Sequence, residues 1–260
     1  MSGRFLSSRP TLTGWAFFLP IVLLLMIAGP ASAQHGDASH ESAPSHGEAH
    51  ADSHTRAPGP HWEGSAEGIA YSNFNHHLAG IFVLVIGLTE LWGALGIGML
   101  AWSRFLLPAA MFGAGIFLLI WSDHEAWPIG SMSPAQTLFG GDWEIMQHKT
   151  YAVLMLSVGT IEGLRWLGRL RHVFWSLPFP AFAIIGGLML FLHSHGDHPS
   201  AHEIAMNHAI MGTLAVAAGF CKLVSVRTVA KGNGNTVLRW ELAWAGCILL
   251  VGLQLLFYSE

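Results

Sequence analysis

The sequence predicts an all-α fold, a polytopic membrane bundle of six transmembrane helices that follows a cleaved signal peptide. Of its 260 residues, 52% are hydrophobic and only 11% are charged. Soluble domains carry about 25% charged residues, so this composition is typical of a membrane protein. The prediction also rests on six apolar segments of bilayer length and on a pattern that recurs in three of them.

The N-terminus is organised like a secretory signal peptide, which we predict over residues 1–33. Arginines precede an apolar run from Trp15 to Ala28, and a small-residue cleavage site ends at Ala33. An uncleaved anchor helix is the alternative, and in both cases the following residues begin outside the cytoplasm. Residues 34–72 are polar, rich in Ala, Ser, Gly and His, and lack apolar periodicity. They predict a disordered, His-rich extracytoplasmic tail.

The six-helix transmembrane domain is predicted over residues 73–260. Each apolar segment is near the twenty or so residues that cross a bilayer, where the backbone must satisfy its own hydrogen bonds as a helix. The loops after the first, third and fifth segments carry most of the Arg and Lys, which places these loops in the cytoplasm. We expect a multi-pass protein of the bacterial inner membrane with a periplasmic N-terminal tail. The segments are 76–100, 105–122, 148–166, 174–193, 208–226 and 237–258.

One pattern recurs in the first, third and fifth segments. Each has an amide residue followed by a histidine, a glycine eleven residues after that histidine, and a charged residue three further on. At 100° per residue these positions share one helix face, which must look inward because charges facing lipid are costly. The pattern predicts three helical-hairpin repeats with pseudo-threefold character. The copies are Asn75-His76, Gly87 and Glu90; Gln147-His148, Gly159 and Glu162; and Asn207-His208, Gly219 and Lys222.

The charged layer of the repeat, Glu90, Glu162 and Lys222, has two interpretations. One is a buried ion-pair lock that holds the repeats together, and the other is part of a proton or cation route. The lock is favoured because no ladder of polar residues connects this layer to the histidines.

Histidines collect at the predicted outer ends of the helices. A single histidine there is usually an interfacial residue or a cap, but imidazoles from five helix ends at one mouth favour a metal site. Imidazole suits Cu, Zn, Fe and Ni, whereas a thioether favours Cu(I), so a methionine two residues before His148 and another before His208 favour copper. Asp123 and Glu125 flank His124 and are predicted to orient an imidazole. The predicted metal ligands are His76, His77, His124, His148, His193, His208, Met146 and Met206.

The remaining outer histidines are weaker candidates. His195, His198 and His202 lie in a loop that contains Gly and Pro, where they could simply be solvated. The six histidines of the tail are irregularly spaced, which suits loose metal capture rather than a defined site. A solubilising linker that happens to contain histidine is the alternative for the tail.

The pattern resembles that of polytopic bacterial proteins described as copper-resistance protein D-like. The resemblance covers roughly residues 74–226 and implies copper transport or handling, together with periplasmic copper-binding proteins as partners. The spacing of the residues by itself indicates only a polar, His-lined outer site. The residues that carry the resemblance are Asn75-His76-His77, Ser122-Asp123-His124-Glu125-Ala126-Trp127-Pro128, Gln147-His148, His193 and Asn207-His208.

The predicted function is therefore binding of a copper ion at a His/Met-lined periplasmic mouth, for transport, resistance or delivery to a partner. A zinc ion is an alternative, and so is a b-type haem with bis-His ligation near the outer face. A sensor or assembly factor without transport is a further alternative. We expect no enzyme, because no His-Glu-x-x-His or comparable signature occurs. Beyond the lipid bilayer, neither nucleotide nor nucleic acid is expected as a partner, since no nucleotide-binding loop is present.

Overall fold

The structure is a computed structural model that describes residues 64–97, 102–193, 200–229 and 234–259. Within these ranges the chain is helical and contains no β-strand. The predicted signal peptide and the tail up to residue 63 lie outside the described residues, as do His195 and His198. The α-helices are α1 Ala66–Ala94, α2 Leu106–Ile120, α3 Pro134–Phe139, α4 Trp143–Trp166, α5 Pro178–Leu190, α6 Ala201–Val229 and α7 Gly234–Leu256, and short 3₁₀ helices, Ser103–Phe105 and Val173–Ser176, precede α2 and α5.

Five helical segments of the described ranges are long and apolar enough to cross a membrane. They are α1, α6 and α7, together with α2 and α5 extended by their 3₁₀ turns. The chain is thus a multi-pass membrane protein by length and composition. The predicted span at α4 is not among the five, although its 24 residues would reach about 36 Å at 1.5 Å per residue. Its first turns hold Glu144, Gln147, His148 and Lys149, whose polarity lowers the hydropathy of the helix.

The long helices pack as a ring in chain order. Helix α1 packs on α2, α2 on α4, α4 on α5, α5 on α6 and α6 on α7, and α7 closes the ring against α1. The short helix α3 lies in the connection before α4 and packs on it. Because neighbours in the ring alternate in direction, the starts of α1, α4 and α6 share one end with the last residues of α2, α5 and α7.

The glycine of each repeat packs against the helix that precedes its own helix in the ring. A Cβ added at Gly219 would lie 2.7 Å from the carbonyl oxygen of Pro180, so only glycine permits this approach. The same relation holds at all three positions, where Gly87 meets Leu249 of α7, Gly159 meets Met111 of α2, and Gly219 meets Pro180 and Ile184 of α5.

The amide residue of each repeat contacts the helix that follows in the ring. The Asn75 side chain donates to the carbonyl oxygen of Ser122, just after α2. Gln147 accepts from His193, just after α5, and Asn207 accepts from Gln254 of α7. Equivalent positions of the three copies therefore make equivalent contacts, one with each of α2, α5 and α7.

Helices α1, α4, α6 and α7 begin earlier than the hydropathy predicts, and the difference is largest at α1 and α6. Helix α1 starts at Ala66 rather than at residue 76, and the Ser65 side chain caps it by accepting from the backbone N–H of Gly68 at 3.1 Å. Residues 66–72, which were assigned to the tail, are therefore helical. Helix α6 starts at Ala201 rather than at residue 208, so His202 is helical and not in a loop. Hydropathy reports where lipid begins, and a helix can continue into water beyond that point.

Candidate metal centre

Four of the predicted ligands, His76, His148, His193 and His208, form a row at one end of the ring, which we name the histidine end. They come from α1, α4, the segment just after α5, and α6. Ring centroids are 5.4 Å apart for His148 and His193, 4.9 Å for His193 and His208, and 6.1 Å for His208 and His76. The alternating directions of neighbouring helices bring these residues to one level.

The loop after α2 fixes the orientation of His148. Its Nδ1 donates to Oδ1 of Asp123 at 2.7 Å, which leaves Nε2 to bind a ligand. The other carboxylate oxygen of Asp123 accepts from Lys149 at 2.9 Å and from Ser122 at 2.5 Å. Burial raises the pKa of Asp123, but the hydrogen bond from His148 and the charges of His148 and Lys149 outweigh that effect and lower it below its usual value. The carboxylate is thus a stable anionic acceptor for the imidazole.

His193 is oriented in the same way by an amide. Its Nδ1 donates to Oε1 of Gln147 at 2.8 Å, while its Nε2 lies 3.9 Å from Oε1 of Glu144. Glu144 and His148 are four residues apart on α4 and therefore share one helix face. Both imidazoles are therefore held through Nδ1, and Nε2 of His193 lies on the side of the Glu144 carboxylate.

Glu144, His148 and His193 together form a group that could hold a metal ion. One potential ligand atom from each residue lies within 4.8 Å of the other two. Bonds of about 2.0–2.2 Å to a tetrahedral ion set ligand atoms about 3.4 Å apart, so these three atoms must converge by roughly an ångström to bind one ion.

The remaining two imidazoles of the row lie next to this group. His208 is 2% exposed, and its ring meets that of His193 edge to face. His76 stacks on Tyr258 with ring centroids 3.9 Å apart, and its Nδ1 donates to the carbonyl oxygen of Ser72 at 2.9 Å. Of the two, His208 is placed to supply a fourth ligand, because it adjoins His193 directly.

The two predicted methionine ligands do not join the row. Residues two apart on a helix differ by about 200° in direction, so a Met-x-His pair points its side chains to opposite faces. Met206 is 54% exposed on the outside of the ring, whereas His208 is buried inside it. The imidazoles line two cavities, an outer pocket of about 200 Å³ and a central one of about 260 Å³, and Met146 lines neither. The structure thus places neither thioether with the imidazoles, and the role of the two methionines as ligands stays a prediction.

Two predicted histidine ligands have other contacts. Nε2 of His77 lies 2.8 Å from the carbonyl oxygen of Tyr258, so this side chain ties α1 to the end of α7. His124 lines an outer pocket of about 200 Å³ together with His76, His148 and His193, but its ring packs on Tyr71 and its Nε2 is 3.9 Å from Glu125. His124 is thus near the row without being part of it.

Glu144 is the residue of this group that the sequence reasoning missed as a ligand. The signal was present, because Glu144 and His148 have the spacing of one helix face. Met146, by contrast, lies about 200° around the helix from His148.

The charged layer lies at the opposite end of the ring, which we name the carboxylate end. Its residues are Glu90, Glu162, Lys222 and Glu241. Lys222 donates to Glu90 and to Glu241, each at 2.6 Å, and thereby joins α1, α6 and α7. Glu162 does not reach this lysine but accepts two hydrogen bonds from Arg165, at 2.6 and 2.7 Å. Glu241, which the repeat pattern did not include, is the second carboxylate of the lysine. All four line a cavity of about 670 Å³.

The chain matches no protein-family model, no curated protein and no solved structure. A functional interpretation therefore depends on the geometry of the histidine end.

Proposed function

We propose that this chain is an integral membrane protein that binds one divalent transition-metal ion, copper foremost, at the histidine end. Glu144, His148 and His193 are the ligands, and His208 completes the set. The observation that carries the proposal is that Nδ1 of both His148 and His193 already donates a hydrogen bond. A partner on that nitrogen selects the tautomer in which Nε2 can bind a metal, and such partners are typical of metal-ligating histidines.

The donor set favours Cu²⁺ over Cu⁺. Imidazole and carboxylate are borderline and hard donors, and the thioethers that would favour Cu⁺ point elsewhere. For a fixed set of nitrogen and oxygen ligands, Cu²⁺ binds more tightly than the other divalent ions of the first row, Zn²⁺ included. Copper is therefore the proposed ion, with zinc as its strongest competitor.

Copper handling is the proposed role, in the form of transport, resistance or delivery to a periplasmic copper-binding protein. The resemblance to copper-resistance protein D-like proteins supports this role, and the distribution of Arg and Lys supports a periplasmic histidine end in a bacterial inner membrane. Six spans, with α4 as the sixth, are part of the proposal. The equivalent contacts of the three amides and the three glycines support the hairpin repeat. We propose binding and transfer rather than catalysis.

The test is calorimetric titration of Cu²⁺ and of Zn²⁺ into the full chain in detergent micelles. His148→Ala and His193→Ala are compared with His172→Ala, which removes a histidine at the opposite end of the ring. We expect each site variant to weaken the tightest binding step by about 100-fold or more, since removal of second-shell partners alone costs 10–100-fold. His172→Ala should bind as the unaltered chain does.

Two results would contradict the proposal. One is an unchanged tight step in both site variants, which would leave the His-rich tail as the binder. The other is tighter binding of Zn²⁺ than of Cu²⁺ at the site. The proposed ligands would then still stand, but copper would not be the preferred ion.

A further inference from the structure

A cavity of about 260 Å³ lies at the centre of the ring, between the histidine end and the carboxylate end. All the long helices of the ring contribute to its lining, which contains no Asp, Glu, Lys or Arg. The four imidazoles of the row form its polar wall. Most of the remaining surface is aliphatic or aromatic, and the aromatic residues are Phe82, Phe117, Tyr151, Phe179, Phe182 and Trp244.

This cavity suits neither a bare ion nor ordered water. A charge moved into an apolar space without a counter-charge loses its hydration and gains little in return. A buried water needs two to four polar partners, which the lining offers only at the imidazoles, Gln147 and Tyr151. A void of this volume also destabilises a packed core in proportion to its size. A neutral, mainly apolar occupant removes that cost without introducing a new one.

One polar atom shows which functional group the occupant carries. Gln147 is 3% exposed and lines the cavity, and its Oε1 is held by His193. Its Nε2 is buried and has no hydrogen-bond partner among the described residues. An unsatisfied buried donor is costly, so an acceptor oxygen is the group that this position requires.

Tyr151 supplies a second donor on the same wall. It lies four residues after Gln147 on α4, so both side chains share one helix face. Its ring stacks on Phe182 with centroids 4.5 Å apart, which holds the side chain flat against the cavity. An occupant with a carbonyl oxygen near α4 could accept from both donors.

We propose that the central cavity binds the ring of a membrane quinone, a neutral, flat molecule whose carbonyl oxygens accept hydrogen bonds. The Gln147 amide and the Tyr151 hydroxyl donate to one carbonyl, and the aromatic side chains pack against the faces of the ring. This site goes beyond the proposed metal function, because its ligand is an organic molecule and its contacts do not require an ion.

The size and shape of the cavity favour a quinone ring over other apolar occupants. Its volume falls below the roughly 300–1,000 Å³ of pockets that hold drug-sized molecules, so a haem is too large without rearrangement of the ring of helices. A saturated lipid tail would leave the Gln147 donor unsatisfied. Flat aromatic walls prefer a flat partner, since ring stacking adds to the gain from burial.

The test is equilibrium binding of decylubiquinone to the full chain in lipid nanodiscs. Binding is measured by quenching of tryptophan fluorescence and by the quinone retained per mole of protein, with protein-free nanodiscs as the blank. Ala215→Leu extends a side chain into the cavity, and Ala217→Leu makes the same change on an exposed face of α6. Tyr151→Phe removes only a hydroxyl.

We expect saturable binding of one quinone per chain, lost in Ala215→Leu and unchanged in Ala217→Leu. Tyr151→Phe should weaken binding about fivefold, the effect of one neutral hydrogen bond. Equal affinity in Ala215→Leu and the unaltered chain would overturn the proposal, as would the absence of saturable binding. A Soret band at one haem per chain would overturn it in favour of haem. If Ala215→Leu does not fold, unchanged affinity in Tyr151→Phe overturns it.

Zinc titration of the same samples separates this proposal from the metal site. Ala215→Leu should retain the Zn²⁺ affinity of the unaltered chain while losing quinone, because its side chain reaches none of the proposed metal ligands. In His148→Ala, loss of Zn²⁺ binding with normal quinone binding would show that the quinone site does not depend on the metal site.

Discussion

The histidine end and the carboxylate end place polar groups at opposite ends of one apolar ring, but they satisfy those groups differently. At the carboxylate end, Lys222 is bound by two carboxylates, and Trp244 Nε1 also donates to Glu90 at 2.7 Å. At the histidine end, His148 and His193 are each held through Nδ1, and together with Glu144 they form a group that could hold a metal ion. One end is a network of paired charges, and the other is a group of potential metal ligands.

This difference separates a structural role from a binding role. At the carboxylate end the charges pair with one another, and such a network fits the interpretation of an ion-pair lock. Imidazoles that are oriented by a hydrogen bond at Nδ1 are pre-organised to bind a metal through Nε2. The comparison predicts that disruption of the carboxylate end changes stability, whereas disruption of the histidine end changes affinity.

The largest expected effect is on stability, for Lys222→Met. This change leaves Glu90 and Glu241 without their cation, and removal of one partner of a buried ion pair costs about 3–5 kcal/mol. The free energy of unfolding in mixed detergent micelles should fall by that amount, whereas Arg171→Met, at an exposed arginine, should change it by less than about 0.5 kcal/mol. Addition of Glu90→Gln and Glu241→Gln to Lys222→Met should restore much of the loss. An unchanged free energy of unfolding in Lys222→Met would contradict the interpretation of an ion-pair lock.

The next effect is on metal affinity, for Asp123→Asn. Loss of the anionic acceptor behind His148 should weaken the tight Cu²⁺ step by about 10–100-fold, as for other partners of metal-bound histidines. The matched control is Glu125→Gln, which removes a charge from the same loop but contacts His124 instead of His148. Equal affinities of the two variants would show that Asp123 serves only to pair with Lys149.

A smaller effect is expected from removal of part of the tail. Deletion of residues 34–60 takes away most of its histidines, which suit loose metal capture. Metal analysis after dialysis should still find one tightly bound equivalent per chain, with less of the weakly bound excess. Loss of the tight equivalent would place the defined site in the tail and not in the ring.

The smallest effect is expected at the methionines. Met206→Leu and Met146→Leu should each change the Cu²⁺ affinity by less than about twofold, because both side chains point away from the imidazole row. The same titration in the presence of a reductant tests Cu⁺. A tenfold loss in either variant would mean that the start of α4 or α6 turns to bring sulfur to the metal.

The parts of the fold that follow from lipid physics were predictable from the sequence. Apolar length and the cost of charge in a bilayer predict helices with Glu90 and Lys222 turned inward, and the structure pairs these two side chains. The repeat, which puts a histidine at the start of the first, third and fifth segments, predicts that these histidines share a level, as His76, His148 and His208 do. The sixth span, at α4, stays a prediction, because the polar residues of its first turns lower the mean hydropathy of the helix.

The partners of these residues were not predictable in the same way. Glu241 joins Lys222 only because α7 packs beside α6, and its position follows no repeat spacing. Gln147 was recognised as an amide before a histidine, but its bond to His193 depends on how α4 and α5 meet. Such pairs depend on how the helices pack in three dimensions, which a single sequence does not reveal.

The central claim is tested most directly by pulsed EPR of the chain lacking residues 34–60, loaded with one equivalent of Cu²⁺. The modulation from remote imidazole nitrogens counts the histidines bound to copper. We predict at least two imidazoles in the unaltered site, one fewer in His148→Ala and in His193→Ala, and no change in His172→Ala. An identical imidazole count in all of these proteins would contradict a copper site at the histidine end.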